Sequence, residues 1–265
     1  MLLDTLAGHA TSQRSKQSIT AWERLVIYSS HNPKQNHLLD ALPHEQWERW
    51  RPQLEYVEMP LGQVLYEPGN ILTHVYFPTT SIISLLYAMR NGESAEIAVV
   101  GNEGVVGVSL FMGGGSTSSR ALVQSAGGAY RLSAEVMKHE FERAGPVLHL
   151  LLRYTQALMT QMVQTAACNK HHSLDQQLCR WLLLSLDRLQ GTEMLMTQTL
   201  IAHMLGVTQA VATEGALRLQ DAGLIEYKHG RIRVLDRNAL EKRSCECYAE
   251  VKEEYDRLLP LQLAA

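Results

Sequence analysis

Met196-Thr197-Gln198-Thr199-Leu200-Ile201-Ala202-His203-Met204-Leu205-Gly206-Val207-Thr208-Gln209 sets the reading of the whole chain. Thr197 can cap a helix running from Gln198 to Leu205, and Gly206 can end it. A second helix is expected over 208–222, closed by Gly223. The spacing Gln198-x-x-x-Ala202-x-x-x-Gly206-Val207 meets the physical needs of a helix-turn-helix. A small side chain at Ala202 lets two helices approach, Gly206 frees the backbone for the tight turn, and Val207 fills the angle between the helices. Residues 224–235 then read as a β-hairpin turning at His229-Gly230. Lys228, His229, Arg231 and Arg233 lie in or beside it, where a wing would meet phosphates.

Toward the N-terminus, Leu174, Leu178, Trp181, Leu182 and Leu186 share one face of a helix that Gly191 ends. Before it, Pro146 suits a first helical turn. Leu148, Leu152, Thr155, Met159, Met162 and Ala166 then recur at alternating spacings of four and three, the narrow seam of a coiled-coil contact, which predicts a dimer. Residues 54–132 have a different texture: short strands at 63–66, 81–87 and 96–100, broken by Gly, Pro and Asn. Asn91-Gly92 predicts a tight hairpin, and many short strands predict a sandwich or barrel. Near the C-terminus, Asn238 and Glu241 resemble a capping box. The helix they open would carry Leu240, Tyr248, Val251, Tyr255 and Leu258 on one face.

The 265 residues are 46% apolar and 19% charged, with a formal net charge of -3. That balance is ordinary for a soluble globular protein, so any DNA-binding charge must be local. No run of about 18 uncharged apolar residues occurs, so no membrane span is expected. Residues 1–20 lack a secretory core and read as a polar extension, which implies a cytoplasmic location. Cys168, Cys179, Cys245 and Cys247 are too few for a disulfide scaffold. Cys245 and Cys247 are expected on the last helix, where residues two apart do not share a face, so no metal clamp is expected there. His171-His172 is expected to solvate a helix junction. The run from Gly113 to Ser119 lacks the Gly-Lys-Ser/Thr ending of a phosphate cradle and reads as a flexible connection. No catalytic constellation emerges, which argues against an enzyme.

The run Met196-Thr197-Gln198…Gly206-Val207…Leu217-Arg218-Leu219-Gln220-Asp221-Ala222-Gly223-Leu224-Ile225 resembles the helix-turn-helix of the Crp/Fnr family. Pro60-Leu61-Gly62-Gln63-Val64-Leu65-Tyr66-Glu67-Pro68-Gly69 and Val100-Gly101-Asn102-Glu103-Gly104-Val105-Val106-Gly107 are similar to that family's barrel. The resemblance implies an α+β fold: a cyclic-nucleotide-binding-type β jelly roll, a long dimerisation helix and a C-terminal winged helix-turn-helix. The implied divisions are a polar extension 1–40, a sensor barrel 41–145, a dimer helix 146–172, a winged domain 173–236 and a helical extension 237–265. It also implies a homodimeric, sequence-specific transcription regulator acting on double-stranded DNA, with RNA polymerase as a partner. The alternative is a Crp-like dimeric interaction module with impaired DNA reading.

By resemblance, DNA contacts would come from Thr197, Thr199, Thr208, Gln209, Thr213, Glu214, Arg218, Lys228, Arg231 and Arg233. Better-known members carry Arg, Glu and a second Arg on the recognition helix, where this chain has Gln209, Ala210 and Glu214. Ala212 and Gly215 also stand where larger aliphatics are usual. The effector pocket would involve Gly107, Val108, Ser109, Ser119 and Arg120. Val108 replaces the Glu that holds the ribose of cAMP, and Ser119 replaces the Arg that neutralises its phosphate. Arg120, one residue on, should point to the opposite face of its strand. No cAMP binding is expected. No cysteine precedes Cys168, so the N-terminal iron–sulfur cluster of the Fnr branch is not expected, nor any other cofactor.

Overall fold

In the computed structural model of the chain, residues 31–90, 94–189 and 191–260 are described. The main compact unit begins at Pro33, not at residue 41 as expected. Asn36 is the reason. Its Oδ1 caps α1 (His37–Asp40), accepting from the amides of Leu38 and Leu39. Its Nδ2 donates to the carbonyls of Pro78 and Gly104, both at 2.8 Å. Leu38 and Leu39 are thereby seated in the core. The extension expected over residues 1–20 and the Asn91-Gly92 turn lie outside the described residues.

After α2 (His44–Trp50) the chain forms two antiparallel sheets. β1 (Glu55–Met59), β7 (Gly127–Ser133) and β3 (His74–Pro78) make one, in that order. The other runs β2 (Val64–Tyr66), β6 (Ser119–Ser125), β4 (Ile82–Ala88) and β5 (Ser94–Val100). β4 and β5 pair antiparallel out to Ala88↔Ser94. Phe77, Ile83, Val100, Val105, Ala121 and Leu132 fill the core. The first five residues of β4 are all buried, with no alternation. A second layer covers the outer face of its sheet: Ser84 Oγ lies 3.2 Å from Met204 Sδ, and Gln124 Nε2 donates to Ser185 Oγ at 3.2 Å. The winged domain therefore packs directly on the barrel.

α3 (Ala134–Glu142) leads into α4 (Pro146–His171), a helix of 26 residues. Val147, Leu151, Tyr154 and Leu158 face the body of the chain, and the Tyr154 hydroxyl donates to Val105 O at 3.0 Å. Gln161 closes the free edge of β5: it accepts from Val99 N at 2.7 Å and donates to Val99 O at 3.2 Å. Two polar backbone groups at a sheet edge are thus satisfied by one side chain.

α5 (Leu174–Leu186) opens with a capping box of Ser173 and Gln176. The rest of the winged domain is β8 (Glu193–Leu195), α6 (Gln198–Leu205), α7 (Gln209–Asp221), β9 (Ile225–Lys228) and β10 (Arg231–Val234). β8 joins the expected hairpin as a third strand against β10. Two helices stand where one was expected. α8 (Arg237–Arg243) is capped by Asp236 rather than Asn238, and α9 (Cys247–Leu258) follows a break at Ser244-Cys245-Glu246. α9 packs along α4, and Gln161 Nε2 donates to Tyr255 Oη at 3.0 Å. Among the described residues no helix is long and apolar enough to cross a membrane.

Candidate DNA-binding face and effector cavity

α6 and α7 meet as the spacing predicts. Thr197 Oγ1 accepts from Leu200 N, and Gly206 ends α6 in the left-handed region at φ 63°. Thr208 caps α7, accepting from Val211 N. α7 buries Ala212, Gly215, Ala216 and Leu219. A Cβ on Gly215 would stand 3.2 Å from Leu174 Cδ2, so the small residues of α7 let it lie close against α5. Its outer face presents Gln209, Ala210, Glu214 and Leu217 to solvent. Gln209 Nε2 donates to Gln198 Oε1 at 3.2 Å, linking the starts of the two helices. Thr213 is half-buried and donates to Gln209 O at 2.8 Å. Thr197, Thr199 and Thr208 are exposed.

The wing turns at His229 and Gly230, both with positive φ (52° and 73°), which fits a two-residue hairpin of the primed type. Lys228 and Arg231 are exposed and directly opposite in register. Like charges facing across a ladder repel, and among the described residues neither has a carboxylate in ion-pair range. An anion at the wing tip would relieve that repulsion.

Two expected contact residues are committed elsewhere. Arg233 sits between carboxylates on the neighbouring strands, 2.7 Å from Glu193 and 3.5 Å from Glu226. Arg218 donates to Asp175 on α5 and to Glu214 one turn back, each at 2.8 Å. Without DNA, both arginines therefore act as ties within the winged domain. Their charge is neutralised by acids that the sequence reading did not single out.

Inside the barrel a cavity of ≈ 240 Å³ opens toward α4. Gly107, Val108, Ser109 and Ser119 line it, with Tyr66 and, from α4, Leu158 and Met162. Tyr66 is buried, which pushes its phenol up to about 12 against the opposing effect of its hydrogen bond to Ser119. Arg120 is on the other face of β6, where it pairs with Glu67 at 2.7 Å. Among the described residues no charged side chain lines the cavity. Nothing there would neutralise a buried phosphate, which otherwise costs several kcal/mol.

Most of the seam expected on α4 lies outward. Leu152 and Met159 are exposed, 47% and 58%, together with Val163 at 68%, which the sequence reading passed over. They line a groove of ≈ 520 Å³ with Met112 and Gln156. Thr155, buried and donating to Leu151 O, also lines this groove, Ala166 is exposed and Leu148 is half-buried, whereas Met162 lines the barrel cavity. Of the expected seam, Met162 is the residue that turns to the barrel instead.

A family model of the Crp-like helix-turn-helix domain matches residues 176–243. Among solved structures the chain is similar to FixK2 from Bradyrhizobium japonicum, with 15% identity and a TM-score of 0.61 over 72% of this chain and 98% of that one. It is also similar to a Crp-family transcriptional regulator from Thermus thermophilus, with 19% identity and a TM-score of 0.59 over 71% and 96%. A third is the c-di-GMP-responsive global regulator CLP of Xanthomonas campestris, with 14% identity and a TM-score of 0.56 over 73% and 100%. Residues 176–243 thus form a Crp-like helix-turn-helix domain, and the chain shares the fold of these solved structures. No protein of curated function matches it by sequence.

One group of residues comes together only in the folded chain. Cys245 lies in the break before α9 and Cys247 at its first turn, so the premise that both share one helix does not hold. They meet Cys168 and His172 from the end of α4. His172 is half-buried against Cys247 rather than free in solvent. The signal was available: Cys168-x-x-x-His172 places both on one helical face, and a break between Cys245 and Cys247 removes the objection to the pair.

Proposed function

We propose that the chain acts as a homodimeric, sequence-specific DNA-binding transcription regulator of Crp/Fnr type that is not controlled by cAMP. One observation carries this reading: the outer face of α7 is free, beside a wing tip whose Lys228 and Arg231 have no acidic partner among the described residues. The N-terminus of α7 adds free amides and a positive dipole for a phosphate. Phosphate contacts would come from Thr197, Thr199, Thr208, Lys228 and Arg231, and would position the protein without reading sequence. Base reading falls to Gln209, with Thr213 and Glu214 at its flank. Gln209 must leave Gln198 to reach a base edge, where it can pair with adenine.

A second copy seated on the Leu152, Met159 and Val163 face would set two recognition helices on successive major grooves, about 34 Å apart. RNA polymerase is the expected partner of the DNA-bound dimer. The uncharged cavity supports an effector other than a cyclic nucleotide held in the cAMP manner. Genome-wide recovery of bound DNA tests the reading: an inverted-repeat operator is expected, and recovery with no shared motif would contradict it.

A further inference from the structure

We propose that Cys168, His172, Cys245 and Cys247 form a mononuclear zinc site that fastens the linker between α4 and α5 to the start of α9. The four ligand atoms lie within 4.8 Å of one another. Cys168 Sγ is 3.5 Å from Cys245 Sγ, and Cys247 Sγ is 3.6 Å from His172 Nδ1. Tetrahedral zinc, with bonds of about 2.3 Å to sulfur and about 2.0 Å to nitrogen, sets its ligands roughly 3.5–3.8 Å apart. Two edges of the tetrahedron therefore already stand near their bound length. At 3.5 Å the sulfurs are far from a disulfide bond of about 2.05 Å, and all four cysteines of the chain are free. A two-iron or four-iron cluster spreads its ligands around a sulfide-bridged core, which so tight a cradle does not hold. Three thiolates and an imidazole are a soft donor set that selects zinc over hard cations.

The surroundings fit a ligating role. His172 turns Nδ1 to the cysteines, while its Nε2 lies 3.4 Å from Glu246 Oε1. A carboxylate on the distal nitrogen fixes the ring of a metal-bound histidine. Gln177 Nε2 donates to His172 O at 2.8 Å and to Cys168 O at 3.4 Å, holding the end of α4 in place.

Charge supplies an independent argument. Three thiolates around Zn²⁺ leave one negative charge. Arg180 is 5% exposed and acts electrostatically on Cys168 and Cys247. Among the described residues it has no ion-pair partner: it donates to Thr165 Oγ1 at 3.3 Å, and its Nε has no hydrogen-bond partner. Buried Glu96 acts on this guanidinium only at longer range, and a buried guanidinium with no counter-charge in contact is costly. The zinc–thiolate group provides that counter-charge.

The site joins two stretches far apart in sequence. α4 ends at His171 and α5 begins at Leu174, so His172 is the first linker residue. Zinc would hold that linker against the α8–α9 break and set the direction in which the winged domain leaves the long helix.

The test is metal analysis of the full-length chain purified without chelators. About one zinc per chain is expected. His172→Ala should weaken zinc at least about tenfold, His172→Cys should retain it, and Cys245→Ser should lose it. Cys179→Ser removes a buried cysteine outside the cluster and should change nothing. If the cluster variants misfold, cobalt titration of the metal-stripped wild type decides: thiolate–cobalt absorption that zinc abolishes supports the site. A wild-type chain with less than about one metal per ten chains and no such absorption would overturn it, as would iron accompanied by acid-labile sulfide.

Discussion

Arg218 on the recognition helix lies 2.8 Å from Asp175 on α5, and Arg243 reaches the other oxygen of the same carboxylate at 2.9 Å. Asp175 is mostly buried; burial alone would raise its carboxyl, but the two guanidiniums outweigh it and hold it below the usual range. Arg218→Ala should cost about 1 kcal/mol of stability, since a partly exposed network is worth little more. Because the depressed group is a carboxylate, that contribution is present above its unfolded pKa and fades as pH falls toward acid. Denaturant melts at pH 7 and pH 3 check this. DNA affinity of the folded variant should hardly change; a large uniform loss would restore Arg218 as a phosphate contact.

The exposed row on α4 should carry the dimer. Met159→Glu with Val163→Glu should yield a folded monomer by analytical ultracentrifugation, since both side chains face outward. Met162→Glu should instead damage folding, because Met162 lines the barrel cavity. A Met159/Val163 variant that sediments as the wild-type dimer would sink this assignment.

Glu96 should make the protein less stable in base than in mild acid. It is buried between barrel and winged domain, and burial, the dominant effect, pushes it up to about 7 against the pull of Ser84, Arg180 and Arg188. Ser84 Oγ contacts both Glu96 Oε2 at 2.5 Å and Gln124 Oε1 at 2.7 Å. One hydroxyl proton cannot serve both acceptors, so a protonated Glu96 donating to Ser84 satisfies all three groups. The folded state holds this proton more tightly than the unfolded chain. Stability should therefore fall as pH rises from the ordinary carboxylate value of 4.5 to about 7, by roughly 3 kcal/mol in total. Glu96→Gln should flatten this profile and be the more stable form at pH 8. A variant with an unchanged profile from pH 5 to 8 would contradict it.

Cyclic AMP should not bind, because the cavity holding Val108 and Ser119 lacks a cation and Arg120 is paired outside with Glu67. Titration calorimetry should show no saturable heat, and a clear micromolar isotherm would refute this.

Much of this was legible in the residues. Thr197, Gly206 and Thr208 mark helix ends by local chemistry alone, and the observed bounds of α6 are those expected. His229-Gly230 likewise fixes its own turn. What the chain did not reveal depends on contacts distant in sequence. Asn36 is read as a loop polar until Pro78 and Gly104 supply its partners. Met162 and Val163 are both apolar on an all-round helix, and only the barrel beside it tells inside from outside. The acids that pair with Arg218 and Arg233, namely Asp175, Glu193 and Glu226, likewise come from elsewhere in the chain.

The central claim is that DNA is held at the wing tip and at the start of α7, and read by Gln209. Duplex affinity measured against salt tests it most directly, with the operator recovered from the genome. Log affinity should fall linearly with log salt, by about 0.9 for each phosphate neutralised. Lys228→Ala or Arg231→Ala should reduce that slope by about 1 and weaken all sequences alike. Gln209→Ala should leave the slope and cost about 1–3 kcal/mol of preference at one base pair per half-site. Wild-type dimer that shows no duplex binding at low salt, or wing variants whose slope is unchanged, would contradict the account.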